Sequence, residues 1–331
     1  MKGIILAGGA GTRLSPATAP ISKILLPVYD RPMIYYPLAT LMSAGIRDIL
    51  VITNEADRGN FERTLGDGSQ FGVRISYETQ YVQRGISDAF IIGREFIDRN
   101  RVALILGDNI FHHAEMVDTL ADAMNSKSGA TVFGYRVPDP ERFGVAEFDK
   151  DMNVISLEEK PAAPKSDYAV VGLYFYDETV CDRADSLEPS ARGELEITDL
   201  NRLYLNDKDL SIRIIPEEAE WIDAGTFESL LESSEYVHDT EKSLGKKILC
   251  PEIVAMKQGW VDAESMRSYL KNQKKNEYFR GIEREIESMR RPNPGSPRWR
   301  NAGGSNPARV PPCLWKQPDK ADRRSVCRSY G

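Results

Sequence analysis

Residues 3–7, Gly-Ile-Ile-Leu-Ala, form an apolar run with no polar alternation, and Gly8, Gly9 and Gly11 follow at once. Such a run reads as a strand buried on both faces, which requires helices packed on each side of its sheet. Three glycines in four residues leave the backbone N–H groups free of side chains and able to face an anion. Arg13 and Lys23 set two cations beside that turn. A strand, a bare loop and two cations make a candidate phosphate site, although a plain strand-to-helix turn would use the same glycines.

Two familiar glycine loops fit poorly. The P-loop requires a Lys-Ser or Lys-Thr pair after its glycines, and none stands here. The dinucleotide fingerprint G-x-G-x-x-G would place its third glycine at Leu14, which disfavours a nicotinamide-dependent dehydrogenase.

The same rhythm continues along residues 1–240. Apolar helix signals at 33–44, 57–65 and 86–96 alternate with strand signals at 48–53, 73–77 and 101–106. This βαβ order predicts an α/β fold, a Rossmann-like and mostly parallel sheet flanked by helices. After a strand at 130–133 the pattern changes. Residues 144–148 and 154–157 flank the turn Asp149-Lys150-Asp151-Met152-Asn153, a hairpin signal. Further strands are expected at 168–176, 210–215 and 221–222, with helices at 195–205 and from 226 to about 239. An antiparallel insertion of this kind would form one wall of a cleft.

Three divisions follow: an α/β domain at 1–240, a C-terminal extension of two or three helices at 241–290, and a tail at 291–331. The tail is rich in Pro, Gly, Ser and Arg, and is expected to be disordered and without catalytic work. Charge divides the same way. The chain carries −7 overall, while residues 290–331 hold ten Lys/Arg against two Asp/Glu, leaving the body at −15. An acidic body that takes anionic substrates needs local cations or a metal. A basic tail can touch nucleic acid, but an inert solvated tail is the reading preferred here. Neither an export signal nor a membrane span is expected, since Gly8 to Gly11 and Arg13 interrupt the first apolar run. Cys181, Cys250, Cys313 and Cys327 are too scattered for a zinc site or a disulfide framework. The expected compartment is the cytoplasm.

Ligands of open α/β sheets collect beyond the carboxyl ends of the strands. Asp108, in Leu106-Gly107-Asp108-Asn109, stands there, and Asp223, in Trp221-Ile222-Asp223-Ala224-Gly225-Thr226, ends a later strand. Two such carboxylates suit Mg²⁺, with waters and phosphates completing the shell. Taken singly, each reads sooner as a cap or turn residue; together with the glycine loop they favour the metal. Lys160, in Glu158-Glu159-Lys160-Pro161, closes a strand where it can reach a ligand, although a solvated charge cluster is the competing reading. His112 and His113 are adjacent and point apart, so no shared metal is expected of them. No Ser/His/Asp or Cys/His arrangement suggests a covalent nucleophile.

The residues resemble the glucose-1-phosphate thymidylyltransferases, among the sugar-nucleotide pyrophosphorylases. The likeness rests on Leu6-Ala7-Gly8-Gly9-Ala10-Gly11-Thr12-Arg13-Leu14, Ser22-Lys23, Leu65-Gly66-Asp67-Gly68-Ser69, Leu106-Gly107-Asp108-Asn109, Asp139-Pro140-Glu141-Arg142-Phe143-Gly144-Val145, Glu158-Glu159-Lys160-Pro161 and Arg192-Gly193-Glu194-Leu195-Glu196-Ile197-Thr198-Asp199. It runs from residue 1 to about 262.

The resemblance implies that dTTP and α-D-glucose 1-phosphate give dTDP-glucose and pyrophosphate with Mg²⁺, for deoxysugars such as rhamnose and for polysaccharides. It implies that Gly8, Gly9, Gly11 and Thr12 cradle the triphosphate and that Arg13 and Lys23 offset the departing pyrophosphate. Asp108 and Asp223 would hold Mg²⁺, Asp108 also serving the nucleotide. Gln80 and Gly85 would read the base. Lys160 would hold the sugar phosphate, with Asn109, Gly144, Glu159 and Val170 lining the sugar pocket on the side of the antiparallel insertion. A homotetramer under feedback from a downstream nucleotide-sugar is implied too, with no nucleic acid and no membrane as partners.

The departures from the family pattern lie near the nucleotide. Ile24 stands where the family has Gln, and the family segment S-P-D-G-L-A-Q-A is here Val82-Gln83-Arg84-Gly85-Ile86-Ser87-Asp88-Ala89. Val171 and Ala224 each replace Thr. Losing a buried hydrogen-bond partner costs ~1–3 kcal/mol, enough to shift substrate choice roughly 5- to 150-fold. UTP or another sugar 1-phosphate is therefore the alternative within the class. A homologue that binds nucleotide-sugar without turnover is the alternative outside it, opposed by the retention of Arg13, Lys23, Asp108, Lys160 and Asp223.

Overall fold

The computed structural model describes residues 1–9 and 11–290; the tail expected to be disordered lies outside them. The first strand, β1 (Lys2–Leu6), is followed by the short hairpin β2 (Pro27–Val28) and β3 (Arg31–Pro32), helix α1 (Tyr35–Ser43), β4 (Asp48–Thr53), α2 (Arg58–Leu65) and β5 (Arg74–Thr79). Helices α3 (Asp88–Ile92) and α4 (Arg94–Ile97) lead to β6 (Val102–Leu106), β7 (Asn109–His112), α5 (Met116–Met124) and β8 (Ala130–Arg136). Then come β9 (Gly144–Phe148), β10 (Val154–Glu159), β11 (Tyr168–Tyr176), α6 (Val180–Asp185), α7 (Ile197–Asn206), β12 (Leu210–Ile214) and β13 (Glu220–Asp223). Four helices finish the described chain: α8 (Phe227–Leu244), α9 (Pro251–Lys257), α10 (Ala263–Lys271) and α11 (Glu277–Arg290).

A nine-stranded sheet runs β10-β9-β11-β6-β1-β4-β5, with β8 on β11 and β12 on β8. β6, β1, β4 and β5 are mutually parallel, and β12 joins β8 in parallel. β11 pairs antiparallel with β6, β8 and β9, and β9 with β10 forms the expected hairpin. Burial explains the unbroken apolar run of β1. Ile5, Val51 and Ile105 enter one apolar cluster, whereas Ile4, Leu50 and Leu104 enter another. Successive side chains thus meet opposite layers, and both layers are apolar.

The helix expected at 86–96 is two short ones, broken at Gly93. The chain there runs so close to β1 and β4 that a Cβ on Gly93 would lie 3.2 Å from side-chain atoms of Ile4 and Leu50. The helix expected to end near 239 continues to Leu244, because Thr226 and Ser229 form a capping box and Gly245 closes it in the left-handed region. β7, α5 and α6 had no expectation. α9–α11 carry their own small apolar cluster around Met266, Leu270 and Ile282.

Candidate functional site

The site lies beyond the carboxyl ends of β1 and β6. Leaving β1, the chain turns through Gly9 and Gly11, at φ 127° and 58°, values that residues with a Cβ adopt only with strain. Thr12 and Arg13 follow in a short 3₁₀ turn. Lys23 returns beside this loop, its Cβ 3.5 Å from where a Cβ on Gly11 would stand.

Asp108 and Asp223 are 115 positions apart in sequence, and the small sheet of β7 and β13 joins them. Asp223 pairs with Asn109 in that ladder, and the Ala224 N–H donates to the Asp108 carbonyl over 2.9 Å. Lys23 forms an ion pair with the Asp108 carboxylate. The Asn109 Nδ2 donates to its other oxygen over 3.0 Å. Burial alone would raise the Asp108 pKa, but the charge and hydrogen bond of Lys23, with help from Asn109, hold it below the ordinary carboxylate value. Asp223 goes the other way. Burial, then the neighbouring charge of Asp108, pushes it up to about 6 against the pull of Lys23, Arg13 and Arg142. Two hard-oxygen carboxylates thus converge on one cleft, a donor set that fits Mg²⁺.

A cavity of about 550 Å³ opens from this pair and is lined by Arg13, Asp108, Asn109, Gly144, Glu159, Lys160, Val170 and Asp223. Eight residues singled out in the sequence thus share one cleft. Its apolar walls include Ile86, Leu106, Val171, Tyr174 and Ile197. Glu159 Oε2 accepts from the Thr198 hydroxyl over 2.5 Å, and Oε1 from Arg192 over 3.3 Å. A Cβ on Gly144 would stand 2.8 Å from the Thr198 hydroxyl, so any larger residue there would displace that side chain. Lys160 sits in the left-handed region at φ 44°, a conformation costing about 1–2 kcal/mol. Its N–H donates to the Phe143 carbonyl over 2.9 Å, tying the end of β10 to the start of β9. Gly8, Gly9, Gly11, Thr12, Lys23, Gln80 and Gly85 do not line this cavity; Gln80 lies against Gly8 and Lys23 against Gly11.

Asn109 lines the cavity and is also bound into its wall. Its Oδ1 already accepts from the Trp221 indole over 2.7 Å and from the Gly172 N–H over 3.2 Å, so it orients its neighbours. Arg142, Trp221, Thr198 and Arg192 received no role from the sequence, although each stands inside a quoted motif. Arg142 adds a third cation beside Asp223. Ile24 is fully packed and lies against Gly107. His112 Nδ1 meets the Tyr236 hydroxyl at 2.6 Å, and no metal-like group of three or more His, Cys, Asp or Glu occurs among the described residues.

A parallel sheet with a glycine turn, cations and paired carboxylates at its carboxyl end defines a nucleotidyl transferase, and a family model with that description matches residues 2–240. Relatives narrow the class. The chain is 54% identical over 278 residues to the glucose-1-phosphate thymidylyltransferase of Neisseria gonorrhoeae, covering 84% of this chain and 96% of that one. It is 52% identical to that of Xanthomonas campestris pv. campestris strain B100, covering 84% and 94%. A solved structure from Bacillus anthracis, described as a glucose-1-phosphate thymidylyltransferase in complex with a sucrose, superposes with a TM-score of 0.68 at 44% identity, covering 72% of this chain and 96% of that one. The chain belongs to the glucose-1-phosphate thymidylyltransferase family.

Proposed function

We propose that the chain transfers a thymidylyl group from dTTP to glucose 1-phosphate, releasing pyrophosphate and supplying dTDP-glucose for deoxysugar and polysaccharide synthesis. The observation that carries this reading is the convergence of Arg13, Lys160, Asp108 and Asp223 on one cleft, in a chain whose relatives bear that name.

The chemical difficulty is repulsion, since a phosphate dianion must approach the α-phosphorus of a polyanion. Rate enhancement then comes from positioning and charge neutralisation, and no covalent intermediate is needed. Lys160 would hold the sugar phosphate, while Arg13 and Lys23 offset charge on the departing pyrophosphate. Glu159, fixed by Thr198 and Arg192, would accept hydrogen bonds from sugar hydroxyls. Asp108 and Asp223 would hold Mg²⁺, which when bound supplies charge neutralisation to the phosphates. Catalysis is assigned to residues 1–240, with the helices of 241–290 as an extension. Cytoplasmic residence and a homotetramer belong to the same reading; no helix among the described residues is long and apolar enough to cross a membrane.

Pyrophosphate release over a panel of nucleoside triphosphates crossed with sugar 1-phosphates tests it. The dTTP and glucose 1-phosphate pair should be fastest, should stop in EDTA and should return with Mg²⁺. Release with no pair would overturn the reaction, and a faster UTP arm would replace the nucleotide.

A further inference from the structure

Lys23 meets Asp108 from the end of a thinly packed stretch. Between the glycine turn and Ser22, residues 15–17, 19 and 20 are exposed. Downstream of Lys23 the backbone is anchored by packing: Ile24 and Leu25 are buried, and the Ile34 N–H donates to the Ile24 carbonyl over 2.9 Å. Upstream the anchor comes from another segment. The Ser22 N–H donates to Asp57 Oδ1 over 2.9 Å, a buried bond across 35 positions of sequence. Asp57 stands at the N-terminal cap of α2, where an aspartate ordinarily accepts from its own helix. Here it makes no such bond. Oδ1 accepts from Ser22 and, over 3.2 Å, from the Asn60 amide, while Oδ2 accepts from the Asn54 amide over 2.9 Å. Asn54 is fixed in return, its Oδ1 accepting from the Asp57 N–H over 2.8 Å. The buried carboxylate is thus oriented by Asn54 on one side and presents its other oxygen to the residue before Lys23. A charged acceptor holds a backbone N–H more firmly than a neutral one.

We infer that Asp57 is a positioning residue for Lys23: by fixing the Ser22 backbone it sets where the Lys23 ammonium stands beside Asp108. Ser22 caps the 3₁₀ turn Lys23–Leu25, its hydroxyl accepting from the Ile24 N–H over 3.4 Å, so a shift of Ser22 carries the start of that turn with it. The inference rests on the proposed reaction in one respect, that Lys23 offsets charge on the departing pyrophosphate. A displacement of ~1 Å at such a group costs about a hundredfold in rate.

The test is a double-mutant cycle, read in kcat and in calorimetric binding of inorganic pyrophosphate, with Asp57→Ala made alone and in a Lys23→Ala background. Alone, Asp57→Ala should lower kcat about 10- to 100-fold, weaken pyrophosphate binding about tenfold and leave KM for glucose 1-phosphate within about threefold. In the Lys23→Ala background the same change should alter either quantity less than about threefold, since the group it positions is gone. Asp57→Asn keeps an oxygen toward Ser22, because turning its NH₂ there would face two donors, Ser22 and Asn60. Its misfit then falls on Asn54 alone. Asp57→Asn should melt below the unaltered chain yet keep kcat within about threefold, whereas a residue that only supported the fold would lose both together. Amide exchange of the peptide spanning 21–26 should quicken about tenfold in Asp57→Ala and stay unaltered in Asp57→Asn.

A folded Asp57→Ala variant with unchanged kcat overturns the inference. So does one that loses the same factor with and without Lys23. Failure of Asp57→Ala to fold moves the cycle to Asp57→Ser, and failure of both assigns Asp57 to the fold and overturns the inference as well. If no pair of substrates releases pyrophosphate, the reaction falls and the exchange measurement decides alone. Quicker exchange in Asp57→Ala but not in Asp57→Asn then keeps the positioning, and equal rates in all three chains remove it.

Discussion

Asp108 and Lys160 separate the two substrates at the scale of single residues. Asp108→Asn keeps the shape and an oxygen for Lys23 but removes the charge. Turnover should fall at least about a hundredfold, while the melting temperature moves only about 2–4 °C; unchanged pyrophosphate release would remove Asp108 from the metal site. Lys160 is half exposed in the cleft. Lys160→Ala should raise KM for glucose 1-phosphate about 10- to 100-fold and leave nucleotide affinity nearly unaltered. An effect confined to the nucleotide would contradict its assignment. Much of this site was legible because Asp108 and Lys160 stand at strand ends that local periodicity reveals. The roles of Trp221, Arg142 and Thr198 were not, since each depends on a partner far along the chain.

Between elements, two buried groups have measurable consequences. Arg31, in β3, donates to Glu241 of α8 over 2.5 Å and to the Ile248 carbonyl over 2.9 Å, and stacks on Tyr36 and Tyr278. Arg31→Ala leaves Glu241 buried beside Lys247 with one cation fewer. Urea unfolding should show a loss of about 3–5 kcal/mol, with the activity of the folded fraction retained. His112, in β7, is held well below its ordinary value of 6.5, at about 4, first by burial and then by His113. The unfolded chain then takes up this proton before the folded one does. The contribution of His112 should be complete above pH 6.5 and fall by up to about 1.4 kcal/mol per pH unit from there towards pH 4, opposed below about pH 6 by Asp223, whose raised value acts with the opposite sign. The slope in urea titrations should be shallower in His112→Gln; an identical slope would clear His112 of the effect. β7 itself escaped sequence reading because a four-residue strand of mixed polarity shows no period, and its partner β13 begins over a hundred residues later.

For the whole molecule, the assembly proposed is a tetramer. Light scattering should return four times the 37.2 kDa chain mass, and a single chain mass would overturn that expectation. The sheet order was legible in outline. Residues 1–106 repeat one βαβ unit, and short connections leave parallel strands few ways to pack. The insertion was legible only as a hairpin, because its attachment through β11 to both β6 and β8 depends on contacts between distant segments.

By itself the sequence determined the parallel core, the glycine turn after β1 and the placing of Asp108 and Asp223 at strand ends. These follow from side-chain period and backbone freedom within a few residues. The tertiary structure alone decided that the two aspartates share one cavity, that Asn109 accepts from Trp221, and that the Gln80 amide donates to Asp88. Each of those requires distant segments to meet at hydrogen-bond distance, and local periodicity carries no information about which segments will meet.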